Sequence, residues 1–274
     1  MIRVSAPASS ANLGPGFDVL ALALDLRLTV CAEPSEDWEI VGERDDATAA
    51  MVASVGVPPM RVEIASDVPV GRGLGSSAAL RAAVAAAGLA DGTDLDRDEV
   101  FRRVAAAEHH PDNAAATVYG GLVASAGGMV IQLGVHPSLL VVVAVPAYPV
   151  PTQRAREVLR ESVSRDVAVA TAGRLAMLME GLRTAEPEAL AAAAGEEIHE
   201  MDRASLSPVT GHLAGVARSA GALHAAWSGA GPAVIAIVTE ATVDEVAGAL
   251  RAVLDGEGEV LEPDIDRLGI VLEP

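Results

Sequence analysis

The sequence predicts an α+β protein of two consecutive parts, and three features of its pattern carry that expectation. One is a long strand. Leu20, Leu22, Leu24, Leu26, Leu28 and Val30 alternate with Ala21, Ala23, Asp25, Arg27, Thr29 and Cys31, the period-2 mark of a strand with one apolar face. Another is a strand that hands over to a helix through glycines: Met60–Ala65, then Pro69–Ala79 (PVGRGLGSSAA), then the alanine-rich run Ala78–Ala90. The third is Pro146–Pro151, with three prolines in six residues, which reads as a boundary. Beyond it the pattern changes to longer helices and short strands, so the parts are expected at residues 1–148 and 149–274.

The elements follow in order. A short strand, Ile2–Ala6, leads into a loop over Pro7–Asp18, where two glycines and two prolines among small polar residues demand a tight turn. After the long strand come a strand at Trp38–Val41, a short helix at Ala47–Ser54, and the Met60 strand, where Met60, Val62 and Ile64 alternate with Arg61 and Glu63. The Ala78–Ala90 helix turns at Asp91-Gly92 into a second helix over Asp94–Ala107, and Pro111 breaks the segment that follows. Leu122–Ser125, Met129–Leu133 and Leu139–Val145 read as strands closing the first part. The second part holds helices at Gln153–Arg160, Ala168–Gly181, Pro187–His199, Val209–Ala220 and Val243–Leu254. Its strands are Leu223–Trp227, Val234–Val238 and either Val260–Glu262 or Leu268–Leu272.

Composition narrows the function. The chain of 274 residues is 51% hydrophobic but only 2% aromatic, so Ala, Val and Leu must fill its core. A net charge of −19 argues against nucleic acid, which needs a basic footprint. No apolar run approaches bilayer length, no signal-peptide pattern opens the chain, and the single cysteine, Cys31, fits a reducing cytoplasm and a place on a strand. A homodimer is compatible with the sequence. The chain contains no lysine, so any bound phosphate must be met by backbone N–H groups, arginine and a metal ion.

The glycine stretch is where such a phosphate would go. Glycine permits positive φ and close backbone approach, and the first N–H groups of a helix lack internal partners and carry partial positive charge. The Walker pattern fails for want of lysine, and the Gly71-Arg-Gly-Leu-Gly75 spacing is too compressed for a dinucleotide fingerprint. The whole string, Pro-x-x-x-Gly-Leu-Gly-Ser-Ser-Ala, resembles the phosphate loop of the GHMP kinases. Ser-Ser-Ala-Asn-Leu-Gly-Pro-Gly-Phe-Asp18 and Glu108-His-His-Pro-Asp-Asn113, followed by Gly120-Gly121, resemble segments of the homoserine kinases in that superfamily. Thr152-Gln-Arg-Ala-Arg156-Glu-Val-Leu, Ile198-His-Glu-Met-Asp-Arg203 and Ser228-Gly-Ala-Gly-Pro232 are similar to further segments of the same family.

That resemblance implies a ribosomal-protein-S5-like N-terminal domain, a ferredoxin-like C-terminal domain, and ATP-dependent phosphorylation of L-homoserine on the route to threonine. It implies that Pro69, Val70, Gly71, Arg72, Gly73, Leu74, Gly75, Ser76, Ser77, Ala78 and Ala79 meet ATP, supported by Gly229 and Gly231. Glu108 would hold Mg²⁺ with Ser77, Ser76 being the competing ligand. Asp18 would meet the substrate ammonium, Arg156 and Arg203 its carboxylate, and Asn12 with Asn113 its hydroxyl, while His110 shapes the pocket. Glu108, Asn113 and Asn12 form the expected catalytic set. Phosphoryl transfer can run on positioning and charge stabilisation without a strong base, with Asp112 as a rival base. Two alternatives stay open at this point: another small-molecule kinase of the superfamily, mevalonate- or shikimate-like, and a catalytically silent ligand-binding relative.

Overall fold

The structure, a computed structural model, describes residues 1–42, 45–92, 94–108 and 111–273. Its strands are β1 (Ile2–Asn12), β2 (Gly16–Pro34), β3 (Glu39–Val41), β4 (Met60–Ser66), β5 (Leu122–Ala126), β6 (Met129–Leu133), β7 (Leu140–Pro146), β8 (His224–Trp227), β9 (Val234–Val238), β10 (Gly258–Leu261) and β11 (Val271–Glu273). Its helices are α1 (Asp46–Ala53), α2 (Ser76–Leu89), α3 (Arg97–Glu108), α4 (Pro111–Tyr119), α5 (Thr152–Glu157), α6 (Arg165–Thr184), α7 (Pro187–Ala192), α8 (Glu200–Arg203), α9 (Pro208–Ser219) and α10 (Val243–Leu254).

One sheet of seven strands has the order β11-β1-β2-β4-β3, with β5 on β2 and β6 on β5. The other, of four strands, has the order β10-β7-β9-β8. In β2 the alternation read from sequence holds from Leu28 to Ala32, but Leu20–Leu24 is buried on both faces. Helices α2 and α4 pack on β1 and β2, and Leu178, Leu182 and Leu190 of the second part join the same core. Among the described residues, no helix is long and apolar enough to cross a membrane. Cys31 is a free, half-buried residue on β2.

Several expectations are corrected. The opening strand does not stop at Ala6. It absorbs Pro7 in a register shift, continues to Asn12, and turns at 13–15 straight into β2; a bulge is where a sheet tolerates proline. Pro111 does not leave a loop, because it starts α4, where its missing N–H costs nothing. The expected helix over Pro187–His199 ends at Ala192. Gly195 turns left-handed at φ +86°, and the Glu196 carboxylate accepts the N–H groups of Ile198, His199 and Glu200, which opens the short α8.

The largest correction concerns Leu139–Val145. It does not close the first sheet but pairs with β9 and β10 in the second. Its odd residues, Val141, Val143 and Val145, belong to the same large core as Leu178, Leu182 and Leu190. Its even residues, Val142 and Ala144, face α9 and α10. A strand between two cores loses the alternation that would reveal its partners. The two C-terminal strand options are both real: β10 lies on β7, and β11 returns to pair with β1.

Candidate active site

A cleft of about 990 Å³ runs between the two parts, lined by residues from the 12–18 turn, the glycine loop, α2, α3, α4, α5 and Arg203. Its floor is the glycine loop. Gly73 and Gly75 adopt φ +81° and +68°, and neither could carry a side chain. A Cβ on Gly73 would lie 2.2 Å from Ser228 O, and one on Gly75 would lie 2.1 Å from Ser9 Oγ. The loop is sewn down at those points. Ser228 Oγ donates to Gly73 O at 2.8 Å, and Ser9 N donates to Leu74 O at 3.1 Å. Gly75 caps α2 with no side-chain hydrogen bond, and no acidic residue stands in the first turn. The helix N-terminus therefore offers its N–H groups to an anion.

The rest of the expected loop divides. Val70, Gly71, Gly73, Leu74, Gly75, Ser76, Ser77 and Gly229 line the cleft, whereas Pro69, Arg72, Ala78, Ala79 and Gly231 do not. Ala78 and Ala79 are fully buried in the core. The Arg72 guanidinium donates to the carbonyls of Val70, Pro146 and Ala147, which ties the loop to the end of β7. Gly231 N donates to Ser228 O and closes the turn that supports Gly73.

Ser77 and Glu108 do meet: Ser77 Oγ donates to Glu108 Oε1. A hydroxyl and a carboxylate at a helix N-terminus are hard oxygen donors suited to Mg²⁺, which takes few protein ligands and completes its shell with water and phosphate. Among the described residues no cluster of three or more His, Cys, Asp or Glu side chains could hold a metal by itself. Arg81, which sequence reasoning missed, contacts the same two groups. Its i, i+4 spacing from Ser77 on α2 was the available signal.

At the other end, Asp18 sits at φ +55° and receives both ends of the Arg156 fork, at 2.6 and 2.8 Å. Asn12 organises this corner. Its Oδ1 accepts the Asp18 N–H at 3.1 Å, and its Nδ2 donates to Gly229 O at 2.9 Å. Arg203 is buried, and donates to Ala155 O and Gly229 O, each at 3.1 Å. Burial, then the Arg156 charge, pulls its pKa down to about 10. Phe17 lies under both guanidinium groups, with centroid distances of 5.5 Å for Arg156 and 5.4 Å for Arg203.

Two histidines from the second part hold the 12–18 turn: His199, which stands in the Ile198–Arg203 segment although no role was expected of it, and His224, which stands in no motif. His199 stacks on Phe17 at 4.9 Å. Arg203 Nη1 lies 3.1 Å from His199 Nδ1, and Gly14 O lies 3.1 Å from its Nε2. Arginine only donates, so Nδ1 accepts and the proton sits on Nε2, facing Gly14 O. His224 Nε2 likewise donates to Leu13 O at 3.0 Å. Burial drives both imidazoles down to about 4 and keeps them neutral. They brace three successive left-handed residues, Asn12, Leu13 and Gly14.

Asp112 and Asn113 begin α4 beside the loop. Asn113 Oδ1 accepts from Ser9 Oγ at 2.8 Å, and Asp112 accepts the Asn113 N–H at 2.8 Å. Asp112 is buried at the cleft wall, and desolvation raises its pKa to about 6. The role expected of His110 lies outside the described residues. The remaining wall, Leu28, Ile40, Val41, Thr48, Met51 and Ile64, is largely apolar. It comes from β2, β3, β4 and α1, whose sequences carry no motif.

Comparison with known proteins identifies the family of the chain. Residues 43–121 match the family described as GHMP kinases N terminal domain, and residues 178–256 match GHMP kinases C terminal. A homoserine kinase of Thermus thermophilus is 38% identical over 275 residues, covering 94% of each chain. The crystal structure of a homoserine kinase from Cytophaga hutchinsonii superposes with a TM-score of 0.86 at 25% identity, covering 99% of this chain and 97% of that one. A Streptococcus pneumoniae phosphomevalonate kinase, at 14% identity and a TM-score of 0.75 over 96% of this chain and all of that one, shares the fold. The two sheets and their helices form the two-domain α+β architecture of these kinases, and the chain belongs to the homoserine kinase family of the GHMP kinases.

Proposed function

We propose that this kinase transfers the γ-phosphate of ATP to the hydroxyl of L-homoserine, giving O-phospho-L-homoserine and ADP for threonine synthesis. One observation carries the substrate assignment. A carboxylate, Asp18, and two guanidinium groups, Arg156 and Arg203, share the cleft with the α2 N-terminus. An amino acid needs both signs of charge at one end and a phosphate at the other. A mevalonate or shikimate pocket would have no use for Asp18 as an ammonium partner. The identity to homoserine kinases supports the same choice over mevalonate kinases, which match at 13 and 14%.

Each residue then has a task. The N–H groups of Gly75, Ser76 and Ser77 receive the nucleotide phosphates. Glu108 and Ser77 hold Mg²⁺, which when bound neutralises phosphate charge. Arg156 and Arg203 orient the substrate carboxylate, and Asp18 its ammonium. Asn12 keeps Asp18 and Gly229 in register, so its contribution to the hydroxyl is through the turn it shapes. Asn113 meets the hydroxyl, and the Asp112 carboxylate, buried beside it and half ionised near pH 6, is the group suited to receive the hydroxyl proton. The apolar wall from Leu28 to Ile64 takes the adenine. A coupled ADP-release assay over L-homoserine, mevalonate and shikimate tests the assignment. Turnover is expected with L-homoserine; turnover of mevalonate or shikimate in its place would overturn it.

A further inference from the structure

Glu108 is a carboxylate in an awkward place. It ends α3, where the helix dipole is negative, and its side chain is only 9% exposed. Such a group needs a cation, and Arg81, itself 15% exposed, supplies one. Arg81 Nη1 contacts both Glu108 Oε1 and Ser77 Oγ, while its Nε donates to Ser54 Oγ at 2.9 Å. It is the sole cationic residue of α2, in a chain without lysine. The two oxygens it grips are the pair assigned above to Mg²⁺, and this inference rests on that assignment. A guanidinium nitrogen and a divalent cation cannot occupy one position between the same two oxygens.

We propose that Arg81 is a positioning residue that holds the metal-binding oxygens of Glu108 and Ser77 until a divalent cation displaces it. Cation binding and guanidinium release are then one exchange. Before the exchange, Arg81 keeps the carboxylate paired and aimed at the α2 N-terminus. After it, the guanidinium stays at the cleft wall, anchored by Ser54, beside the place where phosphate is received. The exchange also makes the bare protein a poor binder of divalent cations, since each one must evict a partner already present.

The test titrates MnCl₂ into nucleotide-free protein and reads free Mn²⁺ by electron paramagnetic resonance. Arg81→Met keeps much of the aliphatic stem and removes the charge; Arg81→Gln does so with a shorter chain and a polar end. Both are expected to bind Mn²⁺ about tenfold more tightly than the parent, the scale of one lost charged competitor. Glu108→Gln is expected to bind it more weakly. If Glu108→Gln weakens binding while both Arg81 variants match or fall below the parent, the exchange is overturned and the metal assignment stands. If Glu108→Gln binds as the parent does, the assignment itself fails and the exchange with it. Thermal melting gives a second readout. In EDTA, Arg81→Met is expected to melt lower than the parent, because Glu108 is left buried and unpaired, and MnCl₂ is expected to restore it by a larger shift than it gives the parent. A loss of stability that MnCl₂ does not reverse would mark Arg81 as merely structural.

Discussion

Arg203 and Arg156 show how much a single side chain in this cleft depends on its surroundings. Arg203 is buried, held by two carbonyls and by the bare Nδ1 of His199. Its position is therefore set before any substrate arrives, which is what a carboxylate clamp requires. Arg203→Ala is expected to raise the KM for L-homoserine roughly ten- to hundredfold, the effect of losing a charged hydrogen bond, with the KM for ATP nearly unchanged. Steady-state kinetics varying each substrate in turn checks the split. Lysine at the same position should rescue only in part, for it lacks the fork. Asp112 carries a different expectation. With its pKa raised to about 6 by burial, kcat should fall on the acid side of pH 6, and Asp112→Asn should lower kcat and abolish that limb in a pH–rate profile. A limb that survives in Asp112→Asn would assign it to another group. Of these residues, Asp18, Asn113 and the two arginines were legible because each stands in a distinctive string. Arg81 and His224 were not legible as site residues, because neither stands in such a string; His199 stands in the Arg203 string, but nothing there said that its ring would brace the 12–18 turn.

Among the elements, the glycine loop and α2 form the piece on which the phosphate end depends. Its left-handed glycines are packed against β1 on one side and the Ser228 turn on the other. Gly75→Ala would thrust a methyl group into Ser9 Oγ and force alanine into a left-handed conformation costing roughly 1–2 kcal/mol. The variant should melt several degrees lower and bind ATP much more weakly, as calorimetry and nucleotide titration would show. Unchanged ATP affinity would mean that the loop is not the phosphate site. The loop was readable from sequence because strand, glycines and helix follow one another without interruption. So were β6, β9 and α10, whose bounds agree with the sequence expectation. The sheet to which β7 belongs was not readable. Seven successive apolar residues, Leu139–Val145, say that a strand lies between two cores, but pairing is a long-range property. The end of α7 was hidden for a related reason: the alanines of 191–194 favour helix, and what stops it is Gly195 together with the buried Glu196 cap.

Across the whole molecule, the cleft joins the two parts through buried polar groups as well as through the half-exposed Asp18–Arg156 ion pair. His199 and His224 reach from the second part to the carbonyls of the 12–18 turn, and within the second part the buried Glu200 accepts the Trp227 N–H at 2.9 Å. These groups oppose one another in their response to pH. The two histidines, lowered to about 4, stabilise the fold less as pH falls from about 6.5 towards 4, because the unfolded chain then binds more protons. Asp112 and Glu200, raised to about 6 and about 7 by desolvation, act in the reverse sense. Their contribution is full below about 4 and is lost as pH rises through 6 to 7. Stability should therefore vary little between pH 4.5 and 6.5. Glu200→Gln should tilt the profile, because the variant no longer loses stability as pH rises. Melting temperatures from pH 4.5 to 8 for the parent and Glu200→Gln would test this. Parallel curves would show that Glu200 does not titrate in the window.

The central claim is that one cleft reads both charges of an amino acid and delivers its hydroxyl to the phosphate end. The most direct measurement is kcat/KM for L-homoserine against two truncated alcohols: 4-hydroxybutanoate, which lacks the ammonium, and 3-amino-1-propanol, which lacks the carboxylate. Each should fall at least about ten- to hundredfold below L-homoserine, since each leaves a charged partner in the cleft unpaired. The carboxylate-free alcohol should respond least to Arg203→Ala. If either truncated alcohol is phosphorylated as efficiently as L-homoserine, then Asp18, Arg156 and Arg203 do not read the substrate.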